Sequence, residues 1–177
     1  TRRLFDSAKI LGMPMPYSKE EINAAQKAAV AANELDHAYI RPMVFYGSEG
    51  MGLRADALKT HVMVAAWAWG SYMGEENMQR GIKVRTASYT RHHVNITMTK
   101  AKANGNYMNS MLALQEALAS GADEALLLNQ HGRVASCAAG NLFVQIGKQW
   151  VTPPESEGAL AGIMRAQLIQ MGPAAGF

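Results

Sequence analysis

The sequence predicts an α+β protein in two compact units, on three observations. Its 177 residues are 49% hydrophobic, enough to bury a real core. Helical and strand-like patterns are mixed along the chain instead of following a single period. A break at Gly70-Ser-Tyr-Met-Gly74 separates one set of elements from the next, giving expected units at 1–74 and 75–177. Composition also narrows function. The net charge of +3 comes from scattered Lys and Arg, with 18% charged residues and no basic run to follow a nucleic-acid backbone. The lone Cys137 excludes an internal disulfide framework and suits a reducing compartment. No stretch approaches the ~20 apolar residues that span a bilayer. The chain opens on Thr-Arg-Arg-Leu-Phe-Asp, without an initiator Met or targeting segment, and reads as an interior piece of a longer protein.

The first helix is expected from Ser18, whose side chain can cap free backbone amides while Glu21 reaches back. Its Ala-rich body runs from Ile22 to Asn33, and Pro14 and Pro16 stop it extending backwards. Ala38 to Tyr46 reads as a strand in which Pro42 favours an edge or a bulge. Gly47-Ser-Glu-Gly-Met-Gly52 is a loop. The apolar run His61 to Trp69, with Val62, Val64 and Trp67 assigned to one alternation, then pairs with the first strand. Beyond the polar stretch Glu75 to Gln79 a strand is expected over Ile82 to Ser88. Tyr107, Met111, Leu114 and Leu118 recur at helical spacing and predict one apolar stripe on a helix from Asn106 to Ala119. Asp123 to Leu128 is a short buried strand, and the turn at 129–132 returns the chain into Val134 and Ala135. Leu142 to Ile146 and Gln149 to Val151 flank Gly147-Lys148 as a hairpin ended by Pro153-Pro154. A final helix covers about Gly162 to Met171.

Few side chains group in patterns that carry chemistry. His92 and His93 are adjacent and would point to opposite faces of a strand, while His37, His61 and His131 lack ligand-like spacing, so no metal site is expected. Gly47-x-x-Gly50-x-Gly52 has no following Lys-Ser/Thr and no βαβ context, which excludes a phosphate loop. Ser136 beside Cys137 has no nucleophile elbow or paired His and reads as a small packed residue. Lys100 and Lys102 lie two apart, so on an extended strand they share a side and spacing does not choose between them. An arbitrary lysine is by default a solvated surface group. Tyr39 and Arg41 alternate onto one face, where a guanidinium suits either a carboxylate or a surface ion pair.

Six segments in a fixed order go further. Arg-Leu-Phe-Asp-Ser-Ala-Lys-Ile at 3–10, Ala-Tyr-Ile-Arg-Pro at 38–42, Ala-Trp-Gly-Ser-Tyr at 68–72, Ala-Lys-Ala-Asn-Gly-Asn-Tyr at 101–107, Asn-Leu-Phe at 141–143 and Ala-Leu-Ala-Gly-Ile at 159–163 span nearly the whole chain. Together they resemble the branched-chain amino acid aminotransferases, members of the fold-type IV enzymes that depend on pyridoxal 5′-phosphate (PLP). The resemblance implies a small α/β domain over 1–74 and a larger domain with a barrel-like sheet over 75–177, truncated at both ends, with the cofactor between them. It implies transamination of Leu, Ile or Val with 2-oxoglutarate by a cytoplasmic homodimer or higher homo-oligomer that binds neither nucleic acid nor membrane. Tyr39-Ile-Arg41 and the Arg-His-His-Val-Asn segment favour this branch over D-amino acid aminotransferase and aminodeoxychorismate lyase. A non-catalytic homologue or fragment is the alternative from another class.

Carried over by residue, Lys102 resembles the catalytic lysine that holds the cofactor's aldehyde and then moves a proton. Tyr107 resembles the phenol that hydrogen-bonds the cofactor's ring oxygen, and Leu160, Gly162, Ile163 and Met164 match the phosphate-side turn. Tyr39, Arg41, Trp69 and Tyr72 match the substrate side, although large rings are also ordinary core builders. Two positions depart from the pattern. Ser136 stands where the family has a Glu for the pyridine nitrogen, and Met164 replaces a Thr hydroxyl that binds phosphate, leaving backbone amides and the helix dipole. The family's phosphate-binding Arg would lie before residue 1, and its turn for the substrate carboxylate after residue 177.

Overall fold

The computed structural model describes residues 1–70 and 73–172, and the chain divides into two units, Thr1–Gln79 and Arg80–Phe177. In the first unit, helices α1 (Arg2–Ile10) and α2 (Lys19–Ala32) accompany an antiparallel pair, β1 (Tyr39–Tyr46) and β2 (Thr60–Trp67). Helix α2 begins as its sequence dictates. The Ser18 hydroxyl accepts from the Glu21 amide at 3.2 Å, and the Glu21 carboxylate accepts from the Ser18 amide at 2.7 Å. The Ser18 amide, and after it the Ser18 hydroxyl, which donates to the same carboxylate at 2.9 Å, hold the Glu21 carboxyl below its ordinary range. Helix α1 has no such signal, since it lacks both a side-chain cap and an acidic first turn, and the sequence reading assigned no element there. Tertiary contact sustains it: Ala8 and Ile22 form the buried centre of the unit, and the Gln26 carboxamide donates to the Thr1 hydroxyl at 2.8 Å.

Both strands of this two-stranded sheet are edges, so Pro42 sits opposite Val64 without denying an interior neighbour a hydrogen bond. The register corrects one expectation. Trp67 is an odd number of residues from Val62 and Val64 and therefore faces the other side, opposite Tyr39. Helix α3 (Glu75–Arg80), expected only as a polar stretch, runs up to the division between the units.

The second unit is built on a three-stranded sheet in the order β3-β4-β5: β3 (Val84–Thr86), β4 (Glu124–Leu128) and β5 (Val134–Cys137). Strands β3 and β4 are parallel and are joined through helix α4 (Tyr107–Ala119), while β4 and β5 are antiparallel with an irregularity between Leu127 and Leu128. Ala113, Ala117, Ala125, Leu127 and Ala138 form its core. Only part of the predicted stripe on α4 faces inward, with Leu114 packed against this core and Tyr107 lining a pocket. Met111 and Leu118 are exposed, and the buried line is Ser110, Ala113 and Ala117, whose small side chains let the helix approach β4 closely. The hairpin of β6 (Val144–Ile146) and β7 (Gln149–Val151) turns at Gly147, whose φ of 62° suits a residue without a β-carbon. Helix α5 (Ile163–Met171) starts from Gly162.

Candidate functional site

Lys102 lies on a turn, not on the extended strand considered from its sequence. Ala101 N donates to Met98 O at 2.9 Å, Met98 has a positive φ of 52°, and a 3-10 turn over Asn104–Asn106 leads into α4. The buried Asn106 carboxamide locks this turn, donating to Ala101 O at 3.0 Å and Met98 O at 3.5 Å. The turn separates the two lysines that spacing could not. Lys100 reaches solvent and meets the Glu155 carboxylate at 3.6 Å. Lys102 instead donates from Nζ to the Tyr107 hydroxyl, with Nζ 4.7 Å from the Tyr107 ring centre. Because Tyr107 is the first residue of α4, the helix start fixes the phenol that meets the amine.

Around this pair is an open pocket lined among others by Arg91, Lys102, Tyr107, Ser136, Asn141 and Leu160. Its lining carries two cationic side chains and no carboxylate. Ser136, on β5 opposite Leu127, is 4% exposed, and its hydroxyl has no hydrogen-bond partner. Asn141 donates from Nδ2 to Leu160 O at 2.9 Å and fills the space beside Gly162 that a β-carbon would enter. The Gly162 amide closes a turn onto Leu160 O at 2.8 Å, directing the chain into α5. Of the predicted cofactor residues, Lys102, Tyr107, Ser136 and Leu160 therefore converge. Gly162, Ile163 and Met164 form the adjoining helix start, with the Ile163 and Met164 side chains exposed.

Arg91 and Asn106 are site residues that the sequence reading missed. A helix-start Asn is a weak signal for the second. Nothing local marks the first, since its burial arises only when α4 and the 155–158 turn meet around it. Burial pushes the Arg91 guanidinium down from its ordinary value, and Tyr107 pulls it partly back. Cys137 also borders the pocket, but burial and then Glu124 push its thiol up to about 11, which keeps it protonated and unreactive near neutral pH.

The predicted substrate residues lie in the first unit. Tyr39 packs on Trp67 and Trp69 with ring centres 5.0 and 4.6 Å away, and the Arg41 guanidinium lies over Tyr39 and Trp67 at 5.3 and 5.1 Å. Tyr72 lies outside the described residues. Among the described residues there is no His, Cys, Asp or Glu group able to hold a metal, and no helix is long and apolar enough to cross a membrane.

This fold recurs in known proteins. The family model for amino-transferase class IV matches residues 1–177. The branched-chain-amino-acid aminotransferase of Pseudomonas aeruginosa is 59% identical over 177 residues, which is all of this chain and 57% of that protein. The crystal structure of the Escherichia coli branched-chain amino acid aminotransferase superposes with a TM-score of 0.96 at 37% identity, covering 99% of this chain and 58% of that one. The crystal structure of the T.th. branched-chain amino acid aminotransferase with pyridoxamine 5′-phosphate gives a TM-score of 0.93 at 39% identity, with 99% and 58% coverage. The chain thus spans a little over half the length of the relatives it matches.

Proposed function

The chain belongs to the amino-transferase class IV family, and from that premise we propose that the protein containing it is a PLP-dependent branched-chain amino acid aminotransferase. It moves an amino group between Leu, Ile or Val and 2-oxoglutarate. The observation that carries the reading is the hydrogen bond from Lys102 Nζ to the Tyr107 hydroxyl inside a pocket with no acidic lining. The pocket suits the cofactor chemically: it offers an amine for an aldehyde, an orphan buried hydroxyl at Ser136, and a positive lining for an anionic group. PLP, when bound, supplies the aldehyde and the electron-withdrawing ring through which the amino group is exchanged.

The chain's own side chains do the rest. Lys102 holds the aldehyde and carries a proton at Nζ to and from the substrate's α-carbon. Tyr107 fixes Nζ and limits its motion between those two tasks. Ser136 would offer the cofactor's ring nitrogen a neutral hydroxyl, which would not hold a proton there as a carboxylate does and would leave the ring a weaker electron sink. The first amides of α5, with the positive end of the helix dipole, receive the phosphate, and Leu160 supports that turn. Tyr39, Arg41, Trp69 and Tyr72 serve the substrate side, Arg41 for a carboxylate and the rings for an apolar side chain. The reading extends to a small domain over 1–74, a cofactor domain over 75–177, and a cytoplasmic homodimer or higher homo-oligomer. Leucine-dependent conversion of 2-oxoglutarate to glutamate by the full-length protein tests it. Conversion that needs added PLP supports the proposal, and none with a PLP-loaded protein refutes it.

A further inference from the structure

Asn104-Gly105 is the chain's one Asn-Gly step, and it stands in the turn between Lys102 and Tyr107. In such a step the glycine amide can attack the asparagine carboxamide, because no β-carbon on the second residue blocks the approach. The structure separates this asparagine from its neighbours. Asn106 is buried and spends its carboxamide on Ala101 O and Met98 O, and Asn109 donates to Thr90 O at 2.9 Å. Asn104 is exposed, and its carboxamide has no hydrogen-bond partner among the described residues. The Gly105 amide is equally free. The bonds that close the turn run from Asn106 N to Ala103 O at 3.2 Å and from Tyr107 N to Asn104 O and Gly105 O, and none uses it. A β-carbon at Gly105 would meet nothing within 4 Å, so the attacking geometry has room.

We propose that Asn104 is a self-modification site, where deamidation through a cyclic imide ages the Lys102 turn. Gly105 N loses its proton and bonds to Asn104 Cγ, and the side-chain nitrogen leaves with that proton as ammonia. Water then opens the ring. Breaking the bond from N to Cγ leaves Asp on an unchanged main chain, whereas breaking the bond from N to the main-chain carbonyl carbon leaves isoaspartate, whose main chain runs through the β-carbon. Either product puts a carboxylate two residues from Lys102, beside a pocket whose lining has none. Isoaspartate also removes the Asn104 carbonyl that receives Tyr107 N, and lengthens the chain between Lys102 and the phenol it meets. The attack needs the Gly105 amide to leave the turn briefly. That opening is cheap, since a 3-10 turn at a helix start has few bonds to lose, and a ligand that clamps Lys102 raises its cost. Deamidation is therefore coupled to occupancy of Lys102; this coupling rests on the PLP reading above, and the modification itself does not.

The test ages the full-length protein in mildly alkaline buffer, in apo and PLP-loaded forms, beside Asn104→Gln. Peptide mapping and methyl transfer from an isoaspartyl methyltransferase read the modification, and borohydride trapping reads cofactor capture at Lys102. Apo wild type should convert at Asn104 and not at Asn106 or Asn109, with one oxygen taken up from heavy-oxygen water per event. The PLP-loaded form should convert several-fold more slowly. Trapping by aged apo wild type should fall in proportion to the fraction converted. Asn104→Gln, whose longer side chain closes the ring far more slowly, should keep its trapping; if that variant folds poorly, the wild-type proportion carries the test. Conversion only after denaturation would show that the turn shields the step and overturn the proposal. Equal rates in the apo and loaded forms, or full conversion with undiminished trapping, would overturn the coupling to Lys102. A fresh protein that takes up no PLP would refute the functional reading, while isoaspartate at Asn104 would still support the modification.

Discussion

Asn141 Oδ1 stands where a β-carbon on Gly162 would be, and the same carboxamide is tied through Nδ2 to Leu160 O. A flexible side chain could swing away from an added methyl group, but this one is short and its hydrogen bond holds it. Gly162→Ala should therefore open the turn that leads into α5, costing roughly 1–3 kcal/mol as an overpacked site. It should also weaken PLP binding by the full-length protein. Gly105→Ala is the control, since nothing lies within 4 Å of a β-carbon there. Denaturant midpoints and PLP titrations of the two variants check this, and equal behaviour would mean that Asn141 yields freely.

Lys102, and not Lys100, should carry the cofactor. The turn sends the Lys100 amine to Glu155, while Lys102 Nζ borders the pocket and meets Tyr107. Borohydride reduction of the PLP-loaded full-length protein, followed by peptide mapping, should place the phosphopyridoxyl group on Lys102. A label on Lys100 would refute the assignment.

What the sequence disclosed follows from how local each signal is. Helix α2 was legible because Ser18 and Glu21 satisfy each other within four residues. Lys102 and Tyr107 were legible as a family pattern, although spacing alone left Lys100 in contention and suggested a strand where Met98 turns the chain. The buried face of α4 was legible only in part, at Leu114, because large apolar residues dominate a periodicity count. Close packing selected Ser110, Ala113 and Ala117, and left Met111 and Leu118 outside. Arg91 was invisible, since its burial depends on Ser110 and Gly158, which lie 19 and 67 residues away in sequence.

The lock on the Lys102 turn is separable from the chemistry. Asn106→Ala removes the donor that serves Ala101 O and Met98 O, and the left-handed backbone at Met98 loses its support. A loss of about 1–3 kcal/mol in folding stability is expected for leaving a buried acceptor unpaired. Denaturant unfolding measures it, and borohydride trapping should show slower cofactor capture at Lys102. A variant with unchanged stability would show that the 3-10 turn holds without the carboxamide.

Ser136→Glu should raise the rate of amino transfer. The Ser136 hydroxyl is buried without a partner, and the pocket's two cations offset the cost of placing a carboxylate there. A carboxylate facing the ring nitrogen would keep that nitrogen protonated and stabilise charge that develops in the transition state. Single-turnover rates with leucine in the PLP-loaded full-length protein should rise. Unchanged rates at full loading would remove Ser136 from the ring nitrogen.

Cys137 should leave a mark on alkaline stability. Its thiol has an ordinary value of 9.0 and is pushed up to about 11 in the fold, by burial first and then by Glu124. Between those values the unfolded chain has released the proton that the folded chain still holds, so the unfolded state binds fewer protons and stability falls as pH rises. The contribution is fully present below pH 9 and is lost on approach to pH 11. Cys137→Ala removes it, so the variant's unfolding free energy should decline less steeply than that of wild type across this window. In wild type, alkylation by iodoacetamide at pH 8 should be slow in the native state and fast once the chain unfolds. Parallel pH profiles for the two proteins, or fast native alkylation, would show that water reaches the thiol.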